Sequence, residues 1–247
     1  MNASISNNEI KRIRSLSRKK FRDEYGLFTV EGEKLVDEAL RSGFHIEKVY
    51  RRDEIGYDTM ARISQLATPS PVLAVVRKPD AKPAGVPSEG LYLGLDAVRD
   101  PGNLGTLVRI ADWFGINAIF ASEDTVDVFN PKVVQATMGA LFRVEVHYCS
   151  LEDTARRFID AGGCVYGTFL DGEDIYSCSI ETGEGAPVMV VMGNESEGIS
   201  SGVADTVSKR LFIPPFPHNE PGSESLNVAV ATAVTVAEFR RRLQHGL

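Results

Sequence analysis

No apolar run in the 247-residue chain approaches the ~18 residues that a membrane-spanning helix needs. The opening stretch, Met1-Asn-Ala-Ser-Ile-Ser-Asn-Asn-Glu-Ile10, has no apolar core and does not read as a secretory signal. Cysteine is scarce. Cys149, Cys164 and Cys178 are odd in number and lack CxxC spacing, which points to free thiols in a reducing cytoplasm. His45, His147, His218 and His245 are scattered without ligand spacing, so no metal is expected. Neither HExxH nor Gly-x-Ser-x-Gly occurs, which removes the zinc-protease and serine-hydrolase signatures. Gly193 and Gly198 have P-loop spacing, but Ile199 stands where lysine should be, and Glu195 and Glu197 would repel phosphate. Gly102-Asn-Leu-Gly105 lacks the third glycine of a dinucleotide fingerprint.

What is present is ordinary for a globular chain: 43% hydrophobic and 25% charged residues, in a length that suits one large domain or two modest ones. The charge is unevenly placed. Lys11, Arg12, Arg14, Arg18, Lys19, Lys20 and Arg22 face only Glu9 in residues 1–22, so this arm carries +6 and the rest −13 of the net −7. A basic arm on an acidic body is a signature of phosphate-backbone partners, with a solvated helix face as the alternative.

Ile10, Ile13, Leu16 and Phe21 space a helical pattern through residues 9–22. A strand at 28–32, a helix at 33–41, a strand at 45–50, a helix at 58–67 and a strand at 72–76 then make a small α/β module. Residues 78–87 carry three prolines and no periodicity, marking a linker between a domain at 1–84 and a second at 88–247. Strand–turn–helix units follow. Strands are expected at 91–95, 118–121, 164–169, 187–193 and 210–214, and helices from the 100–105 turn through Trp113, at 131–141 and at 151–161. Such alternation implies a mostly parallel sheet with helices on both faces. The last helix, 226–243, is apolar almost all round, so it threads through the fold or is covered by a second subunit. Arg240-Arg241-Arg242 suit its C-terminal dipole and offer contacts to phosphate.

Three polar segments sit at strand ends, where open α/β sheets place ligands: Asn103 with Arg109, Asn194 with Glu195, and Ser225 with Asn227. Arg109 is flanked by Leu107, Val108, Ile110 and Ala111, a setting that predicts a part-buried guanidinium in need of an anion. Glu195 reads as that partner or as a helix N-terminal residue, and Ser225 or Asn227 as a helix cap.

Asp100-Pro-Gly-Asn-Leu-Gly105 with Arg109-Ile-Ala-Asp112, Met192-Gly-Asn-Glu-Ser-Glu-Gly198, and Ile213-Pro214 with Glu224-Ser-Leu-Asn-Val228 resemble the three ordered motifs of SpoU-type (TrmH-like) RNA ribose 2′-O-methyltransferases of the SPOUT class. Phe28-x-Val-Glu-Gly32-x-Lys-Leu-Val36 resembles that family's N-terminal RNA-binding domain. The resemblance implies an α/β C-terminal domain with a trefoil knot, a homodimer formed through it, and S-adenosyl-L-methionine bound by Met192, Gly193, Asn194, Ile213, Pro214, Ser225 and Leu226. It places catalysis on Asn103, Arg109, Glu195, Ser225 and Asn227, and RNA, above all large-subunit ribosomal RNA, on the basic arm. The chain departs from the family at Gln135 and Thr137, where many members have Arg and Ser, and in a longer Pro-rich stretch at 214–221. The alternatives are a transfer-RNA methyltransferase, a non-catalytic RNA-binding assembly factor of the same fold, or a metabolite-binding α/β protein.

Overall fold

The computed structural model describes residues 5–80, 85, 88–181, 185–217 and 224–245. The expected linker at 78–87 and the Pro-rich stretch at 214–221 therefore lie partly outside the described residues. In chain order the first elements are α1 (Asn7–Ser15), α2 (Lys19–Tyr25), β1 (Leu27–Glu31), α3 (Glu33–Arg41), β2 (Ile46–Arg51), α4 (Arg52–Ile55), α5 (Tyr57–Ile63) and β3 (Val72–Arg77). They continue as β4 (Gly90–Leu95), α6 (Pro101–Trp113), β5 (Ile119–Ala121), α7 (Pro131–Ala136), β6 (Val146–Tyr148) and α8 (Leu151–Asp160). The remainder is β7 (Cys164–Asp174), β8 (Pro187–Met192), α9 (Ser201–Ala204), β9 (Lys209–Phe212) and α10 (Val228–His245). Contacts divide the chain into two compact units, 1–81 with 127–143, and 82–126 with 144–247.

The first unit holds an antiparallel sheet in the order β1-β3-β2. One face packs on Ile10, Ile13 and Leu16 from the N-terminal helix and on Met60 and Ile63 from α5. The apolar rhythm of 9–22 predicts one helix, but the structure makes two. Gly26 at φ 64° ends α2, and Arg18 in extended conformation begins it. Arg22 explains the break: its guanidinium donates to the Leu16 and Ser17 carbonyls and to Asp127 Oδ2, which holds the turn closed. The residue is 1% exposed, so it is taken from the basic arm assigned to RNA. β1 lies at the sheet edge, and α7 of the same unit covers it, with Gln135 Nε2 donating to the Glu31 carbonyl at 2.8 Å. A covered edge strand cannot template aggregation. The helix expected at 131–141 stops at Ala136, because Met138 (φ 52°) and Gly139 (φ 95°) enter the left-handed region and a short 3₁₀ turn, Ala140–Phe142, follows.

The second unit is a six-stranded parallel sheet in the order β6-β5-β4-β8-β7-β9. Every residue of β8 is buried, as a central parallel strand requires. On one face Phe158, Leu151 and Ala155 of α8 pack with Phe120, Val165, Met189 and Val191. α6 begins at Pro101, so the segment read as a turn is the helix's own first turn. Asp100 caps it by accepting from the Asn103 amide at 2.8 Å, with proline at the first helical position.

α10 is not buried all round. Val228, Val236 and Phe239 are buried, whereas Val230 is 50% exposed. Two of its arginines bond backbone carbonyls of neighbouring segments. Arg240 donates to the Phe114 and Gly115 carbonyls at the end of α6, and buried Arg242 donates to those of Ile175 and Cys178. Glu238 accepts from Arg241 and Arg242, and those hydrogen bonds hold its carboxyl down from 4.5 to about 2.

Two predictions follow from this packing. Arg22→Ala strands a buried Asp127 carboxylate, so urea unfolding should show a loss of about 3–5 kcal/mol. Glu238, with a depressed folded pKa, contributes stability that is complete above its ordinary 4.5 and is lost as pH falls toward about 2. Glu238→Gln should therefore flatten the decline of the urea midpoint across that window.

Candidate active site

The sheet order puts β4 beside β8, so the loops that leave their carboxyl ends are neighbours. That crevice is where open α/β sheets bind ligands. After β8 the chain makes a tight turn in which Asn194 pairs with Gly198 through both backbone bonds, each 2.9 Å. The Asn194 side chain shapes the rest. Its Oδ1 accepts from the Ser196 and Glu197 amides, and its Nδ2 donates to the Ala97 carbonyl at 2.8 Å. Gly193 is required here, because a Cβ would lie 2.3 Å from the Gly198 backbone. Buried Asp96, which the sequence did not single out, accepts from the Ser200 amide at 2.7 Å and ties the far side of the turn to β4. Ala97 beside it has φ 55°, a conformation that costs a non-glycine residue energy and that the two flanking bonds maintain.

This frame presents Glu195 to Asn103. The Asn103 Nδ2 donates to Glu195 Oε1 at 2.5 Å, and its Oδ1 accepts from Asn227 Nδ2 at 3.0 Å. The Asn227 Oδ1 meanwhile caps α10 by accepting from the Ala229 and Val230 amides. Residues from the three separate segments thus form one hydrogen-bonded line, Asn227–Asn103–Glu195. Of the two cap candidates, Asn227 is the cap; Ser225 is exposed outside the line.

Arg109 departs from expectation. It is exposed rather than part-buried, and Glu195 bonds Asn103 in its place. Helix geometry supplies the reason. At ~100° per residue, Arg109 lies about 240° around α6 from Asn103, and its neighbours Leu107, Val108 and Ala111 take the buried face.

The residues expected to hold a cofactor lie in sequence at the ends of β8 and β9 and just before α10. Met192 is buried, Gly193, Asn194, Ile213 and Pro214 are half-buried, and Leu226 is 49% exposed. Among the described residues no cluster of His, Cys, Asp and Glu is arranged to hold a metal ion.

Of the basic arm in the first unit, Lys11, Arg12, Arg14, Arg18, Lys19 and Lys20 are exposed. Arg12 also pairs with Glu47 and lies over Tyr25, Lys19 pairs with Asp23, and Arg18 and Lys20 lie over Phe21.

Residues 90–237 match the family described as SpoU rRNA Methylase, and residues 7–76 match the MRM3-like substrate binding domain. The chain is 31% identical over 252 residues to the 23S rRNA (guanosine(2553)-2′-O)-methyltransferase RlmP of Bacillus subtilis (strain 168), covering 96% of this chain and 98% of that protein. Among solved structures, a TrmH-family protein from Porphyromonas gingivalis superposes with a TM-score of 0.86 at 40% identity, covering 97% of this chain and 100% of that one. The AdoMet-bound rRNA methyltransferase from Sinorhizobium meliloti superposes with a TM-score of 0.85 at 32% identity, covering 98% and 97%.

Because Asn227 both caps α10 and donates to Asn103, its two roles separate by substitution. Asn227→Ala should lower stability by about 1 kcal/mol, whereas Asn227→Asp keeps the capping oxygen and should stay within a few tenths of wild type in thermal unfolding.

Proposed function

The chain belongs to the SpoU rRNA methylase family, and from that premise we propose that it methylates a ribose 2′-hydroxyl of large-subunit ribosomal RNA, using S-adenosylmethionine. The observation that carries the reading is the Asn227–Asn103–Glu195 line, which unites all three motifs at the mouth of the parallel sheet. When bound, S-adenosylmethionine supplies the electrophilic methyl group. Met192, Gly193, Asn194, Ile213, Pro214, Ser225 and Leu226 are the residues that would hold it.

The chain's own task is positioning and charge stabilisation. The ribose oxygen must be brought into line with the methyl group, and negative charge grows on that oxygen as it attacks. Asn103, pinned on both sides, gives the site a rigid polar floor. A guanidinium has five donors and no acceptor, so Arg109 serves as an electrostatic group for the developing oxyanion or the adjoining phosphate rather than as a base. Its exposure leaves the fork free for RNA. A ribose target makes the substrate RNA rather than DNA. Positioning and charge need no metal ion, so transfer should survive chelator.

The exposed side of α10, around Val230, and exposed Leu226 fit a second copy of the chain, and we read the protein as a homodimer through this unit, with the knotted threading its family implies. Exposed Lys11, Arg12, Arg14, Arg18, Lys19 and Lys20 are the phosphate contacts of the first unit in this reading.

The test is transfer of labelled methyl from S-adenosylmethionine to ribosomal RNA taken from cells lacking the gene. Wild type should label the large-subunit RNA, and Arg109→Ala should lose at least about a hundredfold in kcat. Arg109→Lys should recover little, because an ammonium lacks the planar fork. Substantial activity in Arg109→Lys would remove the fork from the mechanism. Cofactor binding by calorimetry without any transfer would point instead to a non-catalytic RNA-binding factor.

A further inference from the structure

The first unit contains a cavity of about 220 Å³ beside β1, lined by Thr29, Glu31, Gln65, Lys132 and Gln135, with Leu66 and Pro131 as its apolar walls. Two of its polar groups are unusual. The Thr29 hydroxyl is buried with no hydrogen-bond partner among the described residues. Glu31 is 3% exposed, accepts one bond on each oxygen, from Ser64 Oγ at 2.6 Å and the Gln65 amide at 2.7 Å, and pairs with no cation among the described residues. A carboxylate has about four acceptor positions, so two remain. Burial also pushes the Glu31 carboxyl up, as expected where charge lacks compensation. Thr29 and Glu31 are two apart on one strand and so share a face.

We propose that this cavity takes one unpaired guanine base of the RNA. This rests on the reading that the substrate is RNA and adds how the first unit reads sequence. The carboxylate calls for two N–H donors side by side. The Watson–Crick edge of guanine presents N1–H next to the N2 amino group, whereas adenine, cytosine and uracil each place no two donors side by side there. The volume falls below the ~300 Å³ at which drug-sized ligand sites begin, which suits a single base rather than a cofactor. Leu66 and Pro131 supply apolar surface for the faces of a flat ring, and the Thr29 hydroxyl and the Gln135 amide oxygen remain for its other polar atoms. Lys132 is exposed, with no ion pair among the described residues, and answers to the nucleotide's phosphate. RNA readers commonly take splayed-out bases by their Watson–Crick edges.

The test is fluorescence anisotropy of the full chain with three labelled single-stranded heptamers, uridine-only except for a central guanosine, inosine or adenosine. Inosine lacks only the 2-amino donor. Wild type should prefer the guanosine heptamer by about tenfold or more over both others. Glu31→Gln replaces one acceptor with a donor and should abolish that preference while leaving binding of the adenosine heptamer unchanged. Thr29→Val keeps the volume and removes only the unpartnered hydroxyl. It should lower the guanosine preference and carries the same test should Glu31→Gln fail to fold by circular dichroism. Equal binding of all three heptamers by wild type, or a guanosine preference that survives in the variants, would overturn the pocket and leave the RNA reading standing. Binding of none of them would overturn both.

Discussion

The hydrogen bond from Asn103 to Glu195 closes a gap of 92 residues, and the site depends on it. It exists because a parallel sheet sends all its strands' carboxyl ends to one edge, and because β4 and β8 are adjacent there. Asn103 enters from the first turn of α6, Glu195 from the turn after β8, and Asn227 from the start of α10. Each of these three positions is itself set by a local device: the Asp100 cap, the side chain of Asn194, and the capping oxygen of Asn227. Short-range chemistry thus aims side chains that only the sheet brings together.

The same economy appears at the two ends of the chain. Arg22 and Arg242 are both fully engaged cations in buried settings, one closing the turn between α1 and α2, the other holding α10 to the segment after β7. Neither is available to phosphate, although each sits in a run of basic residues. A guanidinium has five donors in a rigid fork, which lets it satisfy several carbonyls at once where lysine could not.

Several features were legible in the residues. A helix running to Trp113 is expected, although its first turn, 101–105, reads as a separate turn. The uninterrupted apolar run of β8 marks a buried parallel strand. The basic bias of residues 1–22 predicts a charged surface, and six of its seven cations are exposed. Composition ruled out a membrane helix and a cysteine framework with equal directness. The family's three motifs, taken in order, located Asn103, Glu195 and Asn227, the residues that meet.

Local pattern failed wherever the answer lay in direction rather than in type. Arg109 has apolar neighbours in sequence, but helical rotation turns those neighbours inward and the arginine outward. Asp96 carries no motif, and its bond to the Ser200 amide joins positions 104 apart. Gln135 reads as a departure from family pattern, and its role in covering the edge of β1 needs α7 to return to the first unit. The sequence alone determined most of the strands and the longer helices, and which residue types await a partner, because those follow from contacts a few residues long. Which cation is buried, which amide meets which carboxylate, and which hydroxyl is left unpaired in a cavity were decided by tertiary structure, because sheet order and helix rotation alone set distances between residues far apart in the chain.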